Sequence, residues 1–289
     1  MVMKTTTITL RTLQTDDTPA AMKLCAAEGW NQTANDWNFL IADPRNICIA
    51  AVCAKEIIAT TTAINYSGQL AWIGMVLVNK VYRGKGISKL MLNHVFKKLE
   101  SFPSVKLDAT AHGQQVYKKF GFRDEYHIAR MVNTTAKKIA IPDTDVLPEQ
   151  IGSEHIPGII ALDEVVFGVN RAPLIEMLIK TYPHKAWVLV RDSRITGFAL
   201  GRNGSKYHHI GPVTASAPSD AGILMLHALD KLNGQPVVVD VLCDKEELMH
   251  SLTAIGFSTQ RHFTRMYKTE NPFPGTCSRL YAICGPEFG

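Results

Sequence analysis

A turn with two glycines and two cations lies between an apolar run and a helical pattern, in the stretch NKVYRGKGISKLML, residues 79–92. Gly84 and Gly86 carry no Cβ atom, so the main chain of the turn can approach a ligand closely. The first amides of the helix that follows lack acceptors within the helix, and with the helix dipole they favour an anion. Arg83 and Lys85 add full positive charges. This combination predicts a site for a phosphate or a pyrophosphate.

Two other phosphate-binding motifs fit the turn less well. A Walker-type loop needs G-x-x-x-x-G-K-[ST], which the stretch does not contain. The dinucleotide fingerprint G-x-G-x-x-G fails at its third glycine, where Lys89 stands. Asp108, however, follows the turn by about 20 residues, where a ribose-binding acid would lie. A nicotinamide-dependent oxidoreductase therefore stays open as an alternative.

The same stretch resembles the acetyl-CoA signature of the GNAT superfamily of N-acetyltransferases, [RQ]-x-x-G-x-[GA]. Arg83, Gly86 and Ser88 stand at its three defined positions, and Ser88 departs from the usual glycine or alanine. A second family motif, A-x-x-x-Y-x-x-x-G-F, is similar to GQQVYKKFGF at residues 113–122. The stretches EGWNQT, WIGMVLV, LDAT and DEVVFGVNRAPLI resemble a two-domain bacterial group of GNAT proteins, so the resemblance covers almost the whole chain.

The resemblance implies acetyl-CoA as the cofactor and assigns its contacts. The splayed strand pairs its main chain with the pantetheine arm, and the glycine turn wraps the pyrophosphate. The residues implied to bind the cofactor are Val76, Leu77, Val78, Arg83, Gly84, Lys85, Gly86, Ile87, Ser88, Thr110 and Tyr117.

Acetyl transfer requires an amine to lose its proton, attack the thioester carbonyl and expel a thiolate. The resemblance implies that Tyr117 is the general acid beside the CoA sulfur; the alternative is a core residue, since Val116, Tyr117 and Phe120 share a helical face. The run AWIGMVLV has no carboxylate where many family members carry a glutamate. Asp108 at a strand end is therefore a candidate base or substrate anchor, or only a turn former.

The acceptor site is assigned by resemblance alone, and the expected acceptor is a primary amine of a small molecule, an amino-acid derivative or a peptide. Trp30 could wall the amine pocket or fill the core, and Asn31 could instead cap a helix. The second stretch could shape the acceptor site or only describe a domain contact. The predicted acceptor residues are Trp30, Asn31, Gln32, Asp163, Asn170 and Arg171.

The elements that must position these residues occur twice along the chain. WIGMVLV matches HIGPVTA, and each precedes a helical pattern. Further on, VKLDAT and FGFRDEYHIARM pair with VVVDVL and IGFSTQRHFTRM, so Asp108 and Arg130 correspond to Asp240 and Arg265. Equal spacing over several elements predicts two tandem GNAT-like α/β halves rather than two unrelated domains. Each half is expected to have a mixed, mostly antiparallel sheet with helices on both faces.

Residues 136–150 contain prolines and little periodicity, which predicts a linker. The acetyltransferase domain would then span residues 1–135, and a degenerate copy residues 151–289. In this copy the stretch VTASAPSDAGIL lacks the [RQ]-x-x-G-x-[GA] motif and its adjacent cations. We therefore expect one CoA per chain.

Composition argues against several other classes. The chain has 289 residues, 46% of them apolar and 20% charged, which is enough for two domains with their own cores. No apolar run approaches the ~20 residues of a membrane helix, and the polar N-terminal stretch does not read as a signal peptide, so we expect a cytoplasmic protein without a membrane partner. The net charge of +5 has no run of like charges, which argues against nucleic acid. The six cysteines lack zinc spacing, so no metal is expected.

These observations together predict an acetyl-CoA-dependent N-acetyltransferase, as a monomer or a homodimer. The missing strand glutamate keeps a second class open, a noncatalytic acyl-CoA-binding or regulatory protein.

Overall fold

The structure is a computed structural model that describes residues 7–135 and 145–289. The chain divides into two compact units between Val105 and Lys106. The predicted linker at residues 136–150 lies mostly outside the described residues. Within the two described ranges, no helix has both the length and the apolar character that a bilayer crossing requires.

The first unit is built on an antiparallel sheet in the strand order β1-β2-β3-β4. Its elements are β1 (Ile8–Thr12), α1 (Thr18–Ala27), α2 (Ala34–Ala42), β2 (Ile47–Cys53), β3 (Glu56–Tyr66), β4 (Leu70–Val78) and α3 (Ile87–Lys98). Helix α3 packs on β2, β3 and β4. Its residues Ile87, Met91 and Val95 recur at helical spacing and are buried, so the apolar face of the helix covers the sheet.

The second unit contains the remaining elements. They are β5 (Ser104–Thr110, of which residues 106–110 belong to this unit), α4 (Ala111–Lys118), β6 (Phe122–Asn133), β7 (Glu149–Gln150), α5 (Ile156–Phe167), α6 (Ala172–Thr181), β8 (Trp187–Arg191), β9 (Arg194–Arg202), β10 (His208–Ala215), α7 (Pro218–Asp230), β11 (Val237–Leu242), α8 (Glu246–Ala254), β12 (Ser258–Lys268) and β13 (Leu280–Ala282). The order β10-α7-β11-α8-β12 repeats β4-α3-β5-α4-β6, as the sequence repeat predicted. The predicted α/β class with a mixed sheet is confirmed.

The sheet of the second unit interleaves strands from the two halves of the repeat. Its order is β5-β12-β6-β11-β13-β10-β9-β8-β7. Strand β6 belongs to the first repeat, yet it lies antiparallel between β11 and β12 of the second. Strand β12 in turn lies between β5 and β6 of the first repeat. Each half of the repeat therefore places its last strand beside the Asp-bearing strand of the other half.

Two buried ion pairs follow this exchange. Arg130 on β6 donates two hydrogen bonds of 2.7 Å to the carboxylate of Asp240, its register partner on β11. Arg265 on β12 donates two of 2.9 Å to Asp108 on β5. All four side chains are at most 8% exposed. The repeat thus places each arginine against the aspartate of the opposite half.

In each ion pair, the charge of the partner opposes the effect of burial on the pKa. Burial alone would raise the pKa of Asp240, but the charge and hydrogen bonds of Arg130 lower it well below its usual range. Burial alone would lower the pKa of Arg265, but the charge of Asp108 raises it on balance. Arg130 therefore keeps Asp240 ionised at neutral pH. For Asp108 the balance differs, because burial raises its pKa more than the charge of Arg265 lowers it.

The compact units do not divide at the predicted linker. Because β6 is enclosed by strands of the second repeat, residues 122–133 pack with the second unit. The predicted domain boundaries at 135 and 151 stay a prediction about the repeat.

We predict that Asp240→Ala lowers the free energy of unfolding by about 3–5 kcal/mol, because it leaves the buried guanidinium of Arg130 without a counter-charge. Urea denaturation at pH 7 measures the loss. Asp244→Ala is the matched control, since Asp244 lies in the same unit and pairs with Lys245 while 62% exposed. That control should cost less than about 1 kcal/mol.

A double variant, Asp240→Leu with Arg130→Met, removes both charges and should recover part of the loss. Equal destabilisation by the single and double variants would show that the uncompensated charge is not the cause.

Candidate active site

Strand β4 is interrupted where the predicted pantetheine contacts lie. The register with β3 passes from Thr62↔Gly74 to Thr60↔Leu77, so Met75 and Val76 oppose Thr61 alone. Met75 has a positive φ of 51°, and its carbonyl accepts a hydrogen bond of 2.9 Å from the hydroxyl of Thr60. This is a β-bulge, which leaves main-chain groups outside the ladder. The bulge therefore takes Val76 out of the regular ladder with β3.

The turn after β4 leads into helix α3 through two left-handed glycines. Gly84 and Gly86 both have φ of +76°, and Gly86 is the N-cap of α3 in the left-handed conformation. The first helical hydrogen bond runs from the amide of Leu90 to the carbonyl of Gly86, at 3.0 Å. The amides of residues 87–89 therefore precede the helical ladder, and the glycines before them are exposed. This is the geometry of an anion site at a helix N-terminus.

The cations of the turn have partners in the same unit. Arg83 Nη2 lies 2.5 Å from Glu28 Oε1, and Arg83 Nε donates to the carbonyl of Val78 at 3.2 Å. Lys85 Nζ lies 5.0 Å from the centre of the Tyr82 ring. Glu28 and Tyr82 are not among the site residues predicted from the sequence. Tyr82 is next to the motif and could have been found there, whereas no local pattern links Glu28 to Arg83.

The predicted acceptor stretch follows α1 and is fixed at both ends. Gly29, with φ of +67°, donates to the carbonyl of Ala26 at 3.0 Å, and Trp30 donates to that of Cys25 at 3.0 Å. These two bonds form a Schellman motif that ends the helix. At the other end, Thr33 is the N-cap of α2 and forms a capping box with its third residue. The helix cap is therefore Thr33, and Asn31 does not take that role.

Between these ends the stretch turns polar groups inward. Asn31 is 5% exposed and Gln32 is 4% exposed, while Trp30 is partly exposed. Oε1 of Gln32 has no hydrogen-bond partner among the described residues. A buried amide oxygen without a donor is costly, which suits a ligand that brings one. The placement is compatible with the predicted acceptor role of Gln32.

Tyr117 and Thr110 belong to the second unit. Thr110 is the N-cap of α4, and its hydroxyl accepts a hydrogen bond of 3.2 Å from the amide of Gly113. Tyr117 is 9% exposed, and its ring lies 5.8 Å from that of Phe122. A Cβ on Gly113 would lie 3.1 Å from the Tyr117 ring, so the glycine makes room for it. Burial raises the pKa of Tyr117, and its phenol therefore holds a proton at neutral pH.

Asp108 does not fit the catalytic role predicted for it. Its side chain is 0% exposed, and both carboxylate oxygens accept hydrogen bonds from Arg265. A base needs an oxygen within reach of a substrate proton. In this structure Asp108 holds the exchanged strand β12 in place instead.

The second predicted acceptor stretch is also committed to internal contacts. Arg171 donates to both oxygens of Asp163, at 2.7 and 2.9 Å, and to the carbonyl of Gly289 at 2.6 Å. The side chains of the pair are 1% and 2% exposed. Asn170 donates to Glu164 at 2.7 Å and accepts from the amide of Ala172 at 3.0 Å. These contacts organise α5 and α6, so they favour the structural alternative over acceptor binding.

The corresponding turn of the second repeat lacks the features of an anion site. Helix α7 begins after Ala217 without a left-handed glycine, and its first turn contains Asp220. The carboxylate of Asp220 accepts a hydrogen bond of 3.0 Å from Arg191. A negative charge already occupies the favourable position at this helix N-terminus. A pyrophosphate would meet repulsion there.

Strand β13 fills the space between the splayed strands of the second repeat. β10 and β11 pair in parallel through residues 208–210, and β13 then pairs antiparallel with both. A Cβ on Gly211 of β10 would lie 2.0 Å from the carbonyl oxygen of Ile283. The amide of Ile283 donates to the carbonyl of Asp240 at 2.9 Å. The main chain of β10 is therefore already paired where a pantetheine arm would lie by analogy with the first repeat.

Two family models, each described as an acetyltransferase (GNAT) domain, match residues 20–130 and residues 159–282. The holothin acyltransferase of Pseudoalteromonas sp. (strain SANK 73390) is 25% identical over 265 residues, which cover 91% of this chain and 88% of that protein.

Solved structures show the same fold. A Pyrococcus horikoshii protein crystallised as a candidate acetyltransferase superposes with a TM-score of 0.78 at 21% identity, covering 98% of this chain and 96% of that one. A tandem GNAT protein from the clavulanic acid biosynthesis pathway superposes with a TM-score of 0.66 at 11% identity, covering 90% of this chain and 98% of that one.

We predict that Gly86→Ala weakens CoA binding by at least ~10-fold. A Cβ there meets nothing within 4 Å, so the effect comes only from the left-handed backbone, which costs other residues ~1–2 kcal/mol and would shift the amides. Isothermal titration calorimetry with CoA measures the affinity.

Gly68→Ala is the matched control. Gly68 has φ of +70° and equally open surroundings, but it lies in the turn before β4. The control should lose similar stability and keep its CoA affinity. Unchanged affinity in Gly86→Ala would remove the turn from the cofactor site.

Proposed function

Because the chain belongs to the GNAT superfamily of acetyltransferases, we propose that it transfers an acetyl group from acetyl-CoA to a primary amine of a small molecule, an amino-acid derivative or a peptide. The observation that supports this most is the left-handed glycine turn at the start of α3, with Arg83 and Lys85 beside it. The residues of the turn and of the bulge in β4 suit the diphosphate and the extended arm of CoA. Bound acetyl-CoA would supply the acetyl group as an activated thioester.

In this proposal the chain binds the cofactor through main chain and charge. The amides of residues 87–89 hold the diphosphate, and Arg83 exchanges its contact with Glu28 for the phosphate charge. The bulged main chain at Val76 pairs with the arm. The stretch from Trp30 to Gln32 orients the acceptor, and its two capped ends keep it rigid.

Tyr117 holds the proton that the leaving sulfur needs. Its Oη stays protonated at neutral pH because burial raises the pKa, so it can donate to a thiolate as that thiolate forms. Asp108 takes no proton in this proposal, since Arg265 occupies both of its oxygens. The acceptor amine loses its proton to solvent, either directly or through ordered water.

A second function is favoured by one observation. Strand β4, LAWIGMVLV, carries no carboxylate to act as a base. The chain would then be a noncatalytic protein that binds acyl-CoA. Release of free thiol from acetyl-CoA over a panel of amines separates the two, since amine-dependent release is expected only of the enzyme.

We predict that Tyr117→Phe lowers the rate of thiol release by 10-fold or more, because it removes the acid and keeps the ring. The affinity for CoA should not change. Tyr281→Phe is the control, because Tyr281 is also buried in the second unit, at 5% exposure. Turnover at the normal rate in Tyr117→Phe would end its assignment as the acid.

We also predict one CoA per chain by calorimetry. Asp220 opposes a diphosphate at the start of α7, and β13 is paired with β10. A stoichiometry of two would show that the second repeat keeps a working site.

A further inference from the structure

Lys185 occupies an unusual position for a lysine in the second unit. It ends a 3₁₀ turn, Pro183–Lys185, between α6 and β8, and it is partly exposed. Its stem lies along Gly201 of β9, where a Cβ would come within 3.2 Å of the Lys185 Cβ. The glycine therefore allows the side chain to lie down on the sheet, with its amine held at the surface.

The amine of Lys185 contacts two neutral groups. Its Nζ donates to Oδ1 of Asn203 and lies 2.6 Å from Nδ1 of His208. Nδ1 accepts this bond in the neutral tautomer of His208 that carries its proton on Nε2. Burial lowers the pKa of His208, and the charge of Lys185 lowers it further. The imidazole is therefore placed to accept a proton from the amine.

No carboxylate forms an ion pair with Lys185 in the described parts of the chain. Buried Lys106, by contrast, lies 3.2 Å from Glu125. Without such a partner, burial lowers the pKa of Lys185 to about 8. At pH 8 about half of such amines are neutral, against well under about 1% for an ordinary lysine.

The amine also borders a small cavity of about 220 Å³, part of which is open solvent. The enclosed part of this cavity is too small for a ligand, so a donor must reach the partly exposed amine of Lys185 from solvent. The cavity is lined by His184, Lys185, Trp187, Leu200, Gly201, Ile210, Ala228, Lys231 and Leu232.

We propose that Lys185 is a site of covalent acetylation that takes its acetyl group from an acetyl thioester. The neutral amine attacks the thioester carbonyl, a carbon–nitrogen bond forms, and the carbon–sulfur bond breaks. His208 Nδ1 accepts the proton of the amine, and the thiolate that leaves takes a proton from solvent. The product is a neutral amide beside the cavity. Only the identity of the donor as acetyl-CoA rests on the function proposed above.

The titratable groups that face this site are few. His208 is on β10, His184 is on the same turn as Lys185, and Lys231 follows α7 at the cavity wall. All of them are bases, so none provides a negative charge that would stabilise the protonated amine of Lys185. The rate of acetylation should therefore rise with pH and reach half of its maximum near pH 8.

The test treats the full chain with N-acetyl-S-acetylcysteamine, a thioester without a nucleotide, and maps acetylated lysines by peptide mass spectrometry. Lys185 should react at least 10-fold faster than exposed Lys180, which lies on α6 close by in sequence. Equal rates at the two lysines would overturn the proposal.

Two variants test whether the lack of a carboxylate partner and the imidazole of His208 cause the reactivity of Lys185. Asn203→Asp places a carboxylate of the same shape against the amine, so the half-maximal rate should move to higher pH and the rate at pH 8 should fall several-fold. His208→Asn keeps a polar atom near Nδ1 but removes the base, and it should slow acetylation at every pH. An unchanged pH profile in Asn203→Asp would overturn the proposal.

Acetylation of Lys185 and turnover of an amine substrate are measured separately. Amine turnover without acetylation at Lys185 would contradict only the acetylation site. Rapid acetylation of Lys185 by the small thioester without any amine turnover would contradict only the enzymatic function. Gly86→Ala should keep the reaction of Lys185 with the small thioester, since that donor has no diphosphate.

Discussion

The two crossed aspartate–arginine pairs join the two repeats within the second unit. Asp108 with Arg265 and Asp240 with Arg130 are bidentate and almost completely buried. A buried charge without its partner is strongly destabilising, so each pair requires both strands to be in place. Because each pair joins one repeat to the other, neither repeat can bury its own arginine and aspartate alone. The interleaved order β5-β12-β6-β11 is the sheet in which all four charges are matched.

This shared framework explains how the two repeats could diverge in chemistry and keep the same order of elements. The first keeps a glycine turn at the start of α3, where main-chain amides face solvent. The second has an aspartate in the first turn of α7, and β13 takes the hydrogen bonds of its splayed strand. Neither of these turns contributes to the crossed ion pairs, so the two repeats can differ there and keep the same sheet.

Positively charged side chains in the molecule differ mainly in the groups that they contact. The buried arginines Arg130, Arg171 and Arg265 each face a carboxylate, so they stay charged and chemically inert. Arg83 at the turn faces Glu28 near solvent, where an anion can compete for it. Among the residues that the structure describes, the amine of Lys185 contacts an amide and an imidazole, and burial lowers its pKa. The cations of this chain therefore differ in the groups that they contact.

The features that could be predicted from the amino-acid sequence are local. The glycine turn, the helix that follows it and the repeat of Asp108 and Arg130 in Asp240 and Arg265 could be read from spacing, because conformational preference and periodicity act over a few residues. The partner of each buried charge, by contrast, depends on how the strands pack. Arg130 and Asp240 are 110 positions apart, and Arg265 and Asp108 are 157 apart, so the sheet order had to be known before either pair could be assigned. The same long-range packing pairs Asp108 with Arg265, so Asp108 holds a strand in place and does not act as a base. It also buries Asp163 and Arg171 and places β13 between β10 and β11.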